Sequence, residues 1–291
     1  MIALTIGLAV FVGIALGLLG GGGSILTVPL LAYVAGMDAK AAIATSLLVV
    51  GVTSAIGAVS HARAGRVQWR TGLVFGAAGM AGAYAGGLLA RFIPGTVLLI
   101  GFAVMMIATA VAMLRGRKNV TAAAGEHRLP VPKIIAEGLV VGLVTGLVGA
   151  GGGFLVVPAL ALLGGLPMPV AVGTSLIVIA MKSFAGLAGY LSSVQINWPV
   201  ALGVTAAAVV GALIGARLTA RVDPDSLRKA FGWFVLLMSS VILAEEIHLG
   251  VGIAAAVITV VAAAVTYVCH RYPHCPLHRL IRPSTSDRAA A

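Results

Sequence analysis

The sequence carries very little charge. Only 9% of its residues are Asp, Glu, Lys or Arg, and only eight of them are acidic. In contrast, 60% of the residues are hydrophobic, and the mean hydropathy is +1.11. Soluble domains carry about 25% charged residues, so this composition excludes a water-soluble protein and indicates a polytopic membrane protein.

Acidic side chains are almost absent from the hydrophobic runs. A cation site needs carboxylates or carbonyl oxygens, so a cation transporter is disfavoured. The 19 Lys and Arg residues are spread over short loops and a C-terminal tail instead of forming one face. This distribution is typical of cytoplasmic loops. We therefore predict membrane lipids as a partner and no nucleic acid.

Cysteine and enzyme signatures are also scarce. The two cysteines, Cys269 and Cys275, both lie near the C-terminus and say little about a disulfide framework. No nucleotide-binding, serine-hydrolase or zinc-protease motif occurs, which disfavours an ATP-driven pump and a hydrolase. We predict a protein that is not an enzyme and has no cofactor and no metal. A redox relay at the two cysteines is the enzyme-like alternative.

Glycine is abundant, with 39 residues, and part of it lies in a motif that occurs twice. The first glycine motif, LLGGGGSILTVP at 18–29, returns as LVGAGGGFLVVP at 147–158, the second glycine motif. The offset of 129 residues also pairs Thr45-Ser46-Leu47 with Thr174-Ser175-Leu176. Duplication around an interrupted apolar segment points to the binding site of a transporter.

Apolar runs separated by Gly, Pro or charge predict an all-α fold with five segments in each repeat and one extra. The expected segments are 2–19, 23–36, 40–60, 70–90, 94–114, 133–149, 152–165, 168–190, 198–217, 228–244 and 248–269. The predicted domains are repeat one (1–114), a cytoplasmic linker (115–132), repeat two (133–244), an extra transmembrane helix (245–269) and a basic cytoplasmic tail (270–291). Segments 23–36 and 152–165 are too short to span fully, which predicts a broken or re-entrant helix in each repeat.

Loop charges predict how the repeats are oriented. Arg63, Arg66 and Arg70 follow the third segment of repeat one, whereas the equivalent loop of repeat two, 190–197, is uncharged. In the next pair of equivalent loops, most of the basic residues lie in repeat two instead. Because Lys and Arg mark the cytoplasmic side, equivalent loops lie on opposite sides, which predicts inverted-topology repeats. The N-terminus is expected outside, and the linker and the C-terminus in the cytoplasm, of a plasma (inner) membrane.

The glycine motifs predict an anion site. Each glycine costs a helix about 1 kcal/mol relative to Ala, and an interrupted helix in a bilayer needs protein or water beside it. A helix that starts after the glycines directs unpaired N–H groups and a positive dipole end at the gap. Two such motifs meeting near the bilayer midplane would hold one small oxyanion. The alternative is close helix packing, which we expect for Gly72, Gly76, Gly79, Gly82 and Gly86.

Lys182 is the most deeply placed charge of the sequence, in the middle of segment 168–190. A lysine near a helix centre costs about 2.5–3.5 kcal/mol, which an anion would offset. Snorkelling of the side chain to the interface is the alternative. The equivalent residue in repeat one is Thr53, so Lys182 breaks the symmetry of the repeats. The predicted substrate-binding residues are Gly20, Gly21, Gly22, Gly23, Ser24, Thr45, Ser46, Ala150, Gly151, Gly152, Gly153, Phe154, Thr174, Ser175 and Lys182.

Residues 17–30 and 146–158, together with Gly173-Thr-Ser-Leu176, resemble the TauE/SafE family of sulfite and organosulfonate exporters. The resemblance covers residues 4–245. It implies transport of a small sulfur-containing anion such as sulfite, thiosulfate or an organosulfonate, without an ATPase. We expect a secondary transporter that exports the anion by alternating access. An anion channel is the alternative, and a homo-oligomer stays open.

Overall fold

The computed structural model describes residues 2–19, 22–114, 131–149, 152–158, 160, 166, 168–218 and 224–271. All regular structure in these residues is helical, which confirms the expected all-α fold. Eleven α-helical elements, α1 to α11, are described. Their bounds are Ile2–Leu19, Thr27–Pro29, Ala39–Arg63, Trp69–Leu89, Gly95–Leu114, Val131–Val148, Gly153–Pro158, Met168–Tyr190, Trp198–Leu218, Pro224–Glu246 and Leu249–Arg271.

Five helices of the described chain are long and apolar enough to cross a membrane: Ala39–Arg63, Trp69–Phe92, Gly95–Ala112, Val170–Tyr190 and Trp198–Leu218. Large apolar side chains, among them Phe11, Val104, Leu202 and Ile258, are more than half exposed on the outside of the helices. In water such a surface would be unfavourable, whereas lipid solvates it. The protein is therefore an integral membrane protein.

The segment after α1 is not one regular helix. A 3₁₀ turn at Gly22–Leu26 leads into the single α-helical turn α2, which is followed by a π-helical turn at Leu30–Val34. Pro29 has no N–H group to donate, and the next turn widens, so that Ala35 N–H donates to the Leu30 carbonyl at 3.0 Å. An apolar helical segment therefore runs from Ser24 to Val34, after the first glycines, and its turns are of three kinds.

Glycines set the packing of α1 against α9 and of α4 against α6. A methyl group on Gly13 would overlap the backbone of Ala208, and one on Gly17 would overlap that of Ala212. A step of four residues along α1 therefore corresponds to a step of four residues in the same direction along α9, so these two helices run parallel. Gly82 makes the same kind of contact with Leu139 on α6. The packing role expected for Gly82 is confirmed.

Helix α3 runs antiparallel to α8. Gly186 packs on Leu47 near the start of α3, whereas Gly57 near its end packs on Leu176 near the start of α8. Helix α4 runs parallel to α8, because Gly72 meets Thr174 and Gly87 meets Gly189 further along both helices. Helices α4, α6 and α8 therefore point one way and α3 points the other way, while α1 and α9 run parallel to each other.

Candidate functional site

The end of α6 is held by groups from α3 and α8. Gly149 has a φ of +73° and its N–H donates to the Thr145 carbonyl at 2.9 Å, which closes the helix as a left-handed cap. The Ser46 hydroxyl on α3 lies 2.7 Å from the Gly149 carbonyl oxygen. The Tyr190 hydroxyl on α8 donates to the Leu147 carbonyl. Carbonyls that a helix end leaves unpaired thus receive donors from two neighbouring helices.

The side chain of Lys182 is buried at this position, with 2% of its surface exposed. Its ammonium donates to Thr145 Oγ1 at 3.1 Å. A methyl group on Gly152, which has a φ of +65°, would overlap both Lys182 Nζ and the Thr145 side chain. The lysine therefore points into the protein beside the second glycine motif and does not snorkel to the interface. We call Lys182, Thr145 and Gly152 the lysine cluster.

Lys182 is the one charged side chain among the described residues that is fully buried. An ammonium has three N–H donors, and in the described chain one of them is used, on Thr145. The Thr145 hydroxyl donates its own hydrogen bond to the Val141 carbonyl at 2.7 Å. In a low-dielectric interior a charge interacts far more strongly than at the surface, so the electrostatic interaction of this ammonium with a neighbouring group is strong.

Sequence reasoning did not identify Thr145. It is the only hydroxyl residue of α6, and the residue at the equivalent position of repeat one is Leu16. Lys182 and Thr145 therefore each differ in polarity from the residue at the equivalent position of repeat one. Comparing the two repeats for such paired differences is the signal that would have found Thr145.

Hydroxyl side chains lie near the first glycine motif. The turn Gly22–Leu26, which contains Ser24, packs against α7 of the second motif. Thr27 and Thr45 are buried, and their hydroxyl oxygens have no hydrogen-bond partner among the described residues. The structure thus brings residues of the two motifs next to each other, with charge at the second and neutral hydroxyls at the first.

Other predicted site residues lie away from the lysine cluster. Thr174 Oγ1 accepts the Gln68 N–H at 3.0 Å, and Ser175 Oγ donates to the Val172 carbonyl at 2.8 Å. Thr174 is two helical turns, about 12 Å along the axis, from Lys182. Both hydroxyls therefore hold the start of α8 and its neighbouring loop.

The remaining predicted residues belong to the glycine motifs themselves. Gly22 and Gly23 begin the 3₁₀ turn, and Gly153 and Phe154 begin α7. Gly20, Gly21, Ala150 and Gly151 lie outside the described residues, as do most of the linker and the tail that contains Cys275.

A cavity of about 340 Å³ lies elsewhere, between the segment after α2, the start of α5 and the end of α10. The Tyr33 hydroxyl donates to Glu246 Oε1 at 3.1 Å across it. Asp38 also lines the cavity. The two carboxylates in its lining disfavour an anion in this cavity.

Comparisons with known proteins agree with this architecture. A family model described as "Sulfite exporter TauE/SafE" matches residues 5–242. The chain belongs to the TauE/SafE family. A "Probable membrane transporter protein" of Xylella fastidiosa (strain Temecula1) is 35% identical over 242 residues, which cover 81% of this chain and 92% of the relative. The TauE/SafE chain is therefore a membrane transporter.

Two Bacillus subtilis proteins are more distant relatives. "Probable membrane transporter protein YunE" is 29% identical over 253 residues, which cover 79% of this TauE/SafE chain and 93% of YunE. "Probable membrane transporter protein YdhB" is 28% identical over 210 residues, which cover 71% of this chain and 86% of YdhB. No solved structure matches the chain.

Proposed function

We propose that this TauE/SafE protein is a secondary transporter that exports a small sulfur-containing oxyanion, such as sulfite, thiosulfate or an organosulfonate. The observation that carries the proposal is the burial of Lys182 beside the second glycine motif. A lysine inside a membrane protein is costly, and an anion that pairs with it offsets the cost. The matching family, described as a sulfite exporter, supports the sulfur chemistry.

The binding site in this proposal lies where the two glycine motifs meet. Lys182 and Thr145 supply the charged and polar contacts from the second half, and the buried hydroxyls of Thr27 and Thr45 supply neutral donors from the first. Ser46 keeps a positioning role, because its hydroxyl already faces the Gly149 carbonyl. The main chain completes the site at Gly20, Gly21, Gly22, Gly23, Ser24, Ala150, Gly151, Gly152, Gly153 and Phe154, and Thr174 and Ser175 hold α8.

The two halves form inverted-topology repeats in this proposal. Helix α3 runs antiparallel to its equivalent α8, which supports the inversion. The glycine contacts also follow the offset of 129 residues: Gly13 meets Ala208 as Gly142 meets Gly79, and Gly211 meets Val10 as Gly82 meets Leu139. Such repeats place a substrate site at their interface near the midplane.

Residues 22–34 and the start of α7 serve as re-entrant or broken helices. Thirteen helical residues extend about 20 Å, which is shorter than the hydrocarbon core of about 30 Å. In transporters, such discontinuous helices end at the substrate site.

Alternating access then moves the anion across the membrane. Because α1 packs on α9 and α4 on α6, each moving body contains helices from both halves of the chain. An inside-negative potential favours anion efflux by about 2.3 kcal/mol per elementary charge per 100 mV, so export needs no ATPase.

Uptake of labelled sulfite into proteoliposomes under an imposed potential tests the proposal, with thiosulfate, taurine, sulfate and chloride as competitors. We expect saturable sulfite flux that unlabelled sulfite inhibits and chloride does not, and the other competitors rank the substrates. Flux of chloride at rates near diffusion would indicate a channel. Absence of any anion flux from folded protein would contradict the proposal.

A further inference from the structure

The charge of the lysine cluster limits the negative charge that it can neutralise in a ligand. Among the described side chains only Lys182 is both charged and buried. The nearest acidic residue of α6 in sequence is Glu137, two helical turns before Thr145 and half-buried. The residues of the glycine motifs that lie outside the described chain, Gly20, Gly21, Ala150 and Gly151, carry no charge. One positive charge is therefore available to a ligand at this point.

A ligand of one negative charge would neutralise this site. A buried charge without a partner is unfavourable because the interior cannot replace its hydration. A monoanion next to the Lys182 ammonium leaves no net charge in the site. A dianion leaves one negative charge uncompensated, and the neutral hydroxyls of Thr27 and Thr45 can solvate that charge only in part.

The geometry of the cluster also suits a small oxyanion. Thr145 takes one ammonium N–H at 3.1 Å, which leaves two donors of Lys182 for oxygen atoms. Gly152 has no side chain, so the ammonium occupies the space that a methyl group would fill and lies against the backbone of the second glycine motif. Oxygens of a –SO₃⁻ group can accept both remaining donors.

We propose that the lysine cluster selects monoanionic sulfur oxyanions, the class of hydrogensulfite and the alkanesulfonates, against the dianions sulfate and thiosulfate. This inference rests on the proposed function, because it specifies the charge of the exported anion. Hydrogensulfite is then the form in which sulfite is carried.

Competition for labelled sulfite binding to the purified full-length protein in detergent tests the inference. Methanesulfonate is a permanent monoanion, and sulfate and thiosulfate are dianions at neutral pH. At constant ionic strength we expect methanesulfonate to displace sulfite at about tenfold lower concentration than either dianion. Displacement by sulfate or thiosulfate at equal or lower concentration, or no displacement by methanesulfonate, would overturn the charge selection.

Substitutions assign the selection to Lys182. In Lys182→Gln we expect the preference for methanesulfonate to disappear, and in Lys182→Arg, which keeps the charge, to persist. Lys40→Gln removes a lysine that donates to the Arg91 carbonyl, far from the cluster in sequence, and is expected to change nothing. A preference that survives in Lys182→Gln would overturn the assignment.

The two proposals fail in different ways. Selective binding without saturable flux would contradict the transporter and leave the charge selection standing. Saturable sulfite flux with equal competition by dianions would contradict the charge selection and leave the transporter standing.

Discussion

At the scale of single residues, two glycines share one backbone conformation but differ in the atoms that surround them. Gly36 and Gly152 both have a φ of +65°. A methyl group on Gly36 would meet nothing within 4 Å, whereas one on Gly152 would overlap Lys182 Nζ and Thr145. Any difference between alanine substitutions at these positions therefore reports on the lysine cluster.

We predict that Gly152→Ala and Gly36→Ala both lower stability, because the left-handed conformation costs an L-residue about 1–2 kcal/mol. Only Gly152→Ala should also lower anion flux, since its methyl group displaces the ammonium. Thermal unfolding in detergent and flux in proteoliposomes measure the two effects. Equal flux in both variants would contradict a role of Gly152 in the site.

Part of the site could be predicted at this scale. Lys182 stood out because a charge in an apolar segment is rare, and the structure places it inside the protein. Thr145 did not stand out, because a threonine in an apolar helix bonds its own backbone and reveals nothing of its neighbours. Its role depends on the contact with Lys182 of α8, a helix that is distant from α6 in sequence and meets it only in the folded protein. The same holds for Tyr190, whose partner is the Leu147 carbonyl.

At the scale of elements, backbone contacts through glycine hold the helix pairs together. On α9, Gly211 packs on the Val10 carbonyl oxygen and the Ile14 nitrogen of α1. A methyl group on Gly203 of the same helix would meet nothing within 4 Å. Small residues at such contacts allow dispersion forces to act over the whole helix length in lipid.

We predict that Gly211→Val separates α1 from α9 and destabilises the protein by about 1–3 kcal/mol, the usual cost of overpacking. Gly203→Val is the matched control and should leave stability nearly unchanged. Thermal unfolding and the monodisperse fraction in size-exclusion chromatography give the comparison. Similar losses in the two variants would show that the contact is not responsible.

Helix positions could largely be predicted, because apolar runs end where Gly, Pro or charge interrupts them. The segment expected at 168–190 is the helix Met168–Tyr190. The segment at 23–36 was less predictable, since its turns depend on Pro29 and on contacts with α1 and α3. Which helices pair was not predictable from periodicity, because lipid and protein interior are both apolar and the helices show no strong polar face.

At the scale of the whole molecule, the antiparallel contact of α3 and α8 separates two equivalent loops. Residues 64–68 follow α3, and residues 191–197 follow α8. These loops lie at opposite ends of the helix pair. Only the first of them is basic, in agreement with a cytoplasmic position for that loop.

We predict that Ala64→Cys and Ser193→Cys react from opposite sides of the membrane. Both residues are exposed. With Cys269 and Cys275 replaced by Ser, an impermeant maleimide applied to intact cells should label position 193 and should reach position 64 only after permeabilisation. Labelling of both from one side would contradict the inverted arrangement. The cysteine-free background should keep near-normal flux, and its loss would favour the redox alternative.

The pairing of α1 with α9 and of α4 with α6 also bears on the origin of the chain. Each half supplies the helix that fills the glycine-lined groove of the other, so one half alone leaves its grooves unfilled. Two identical copies of one half would fill each other's grooves but would carry the same residue at both equivalent positions. A single chain that contains both halves can differ between them, as Lys182 and Thr53 do.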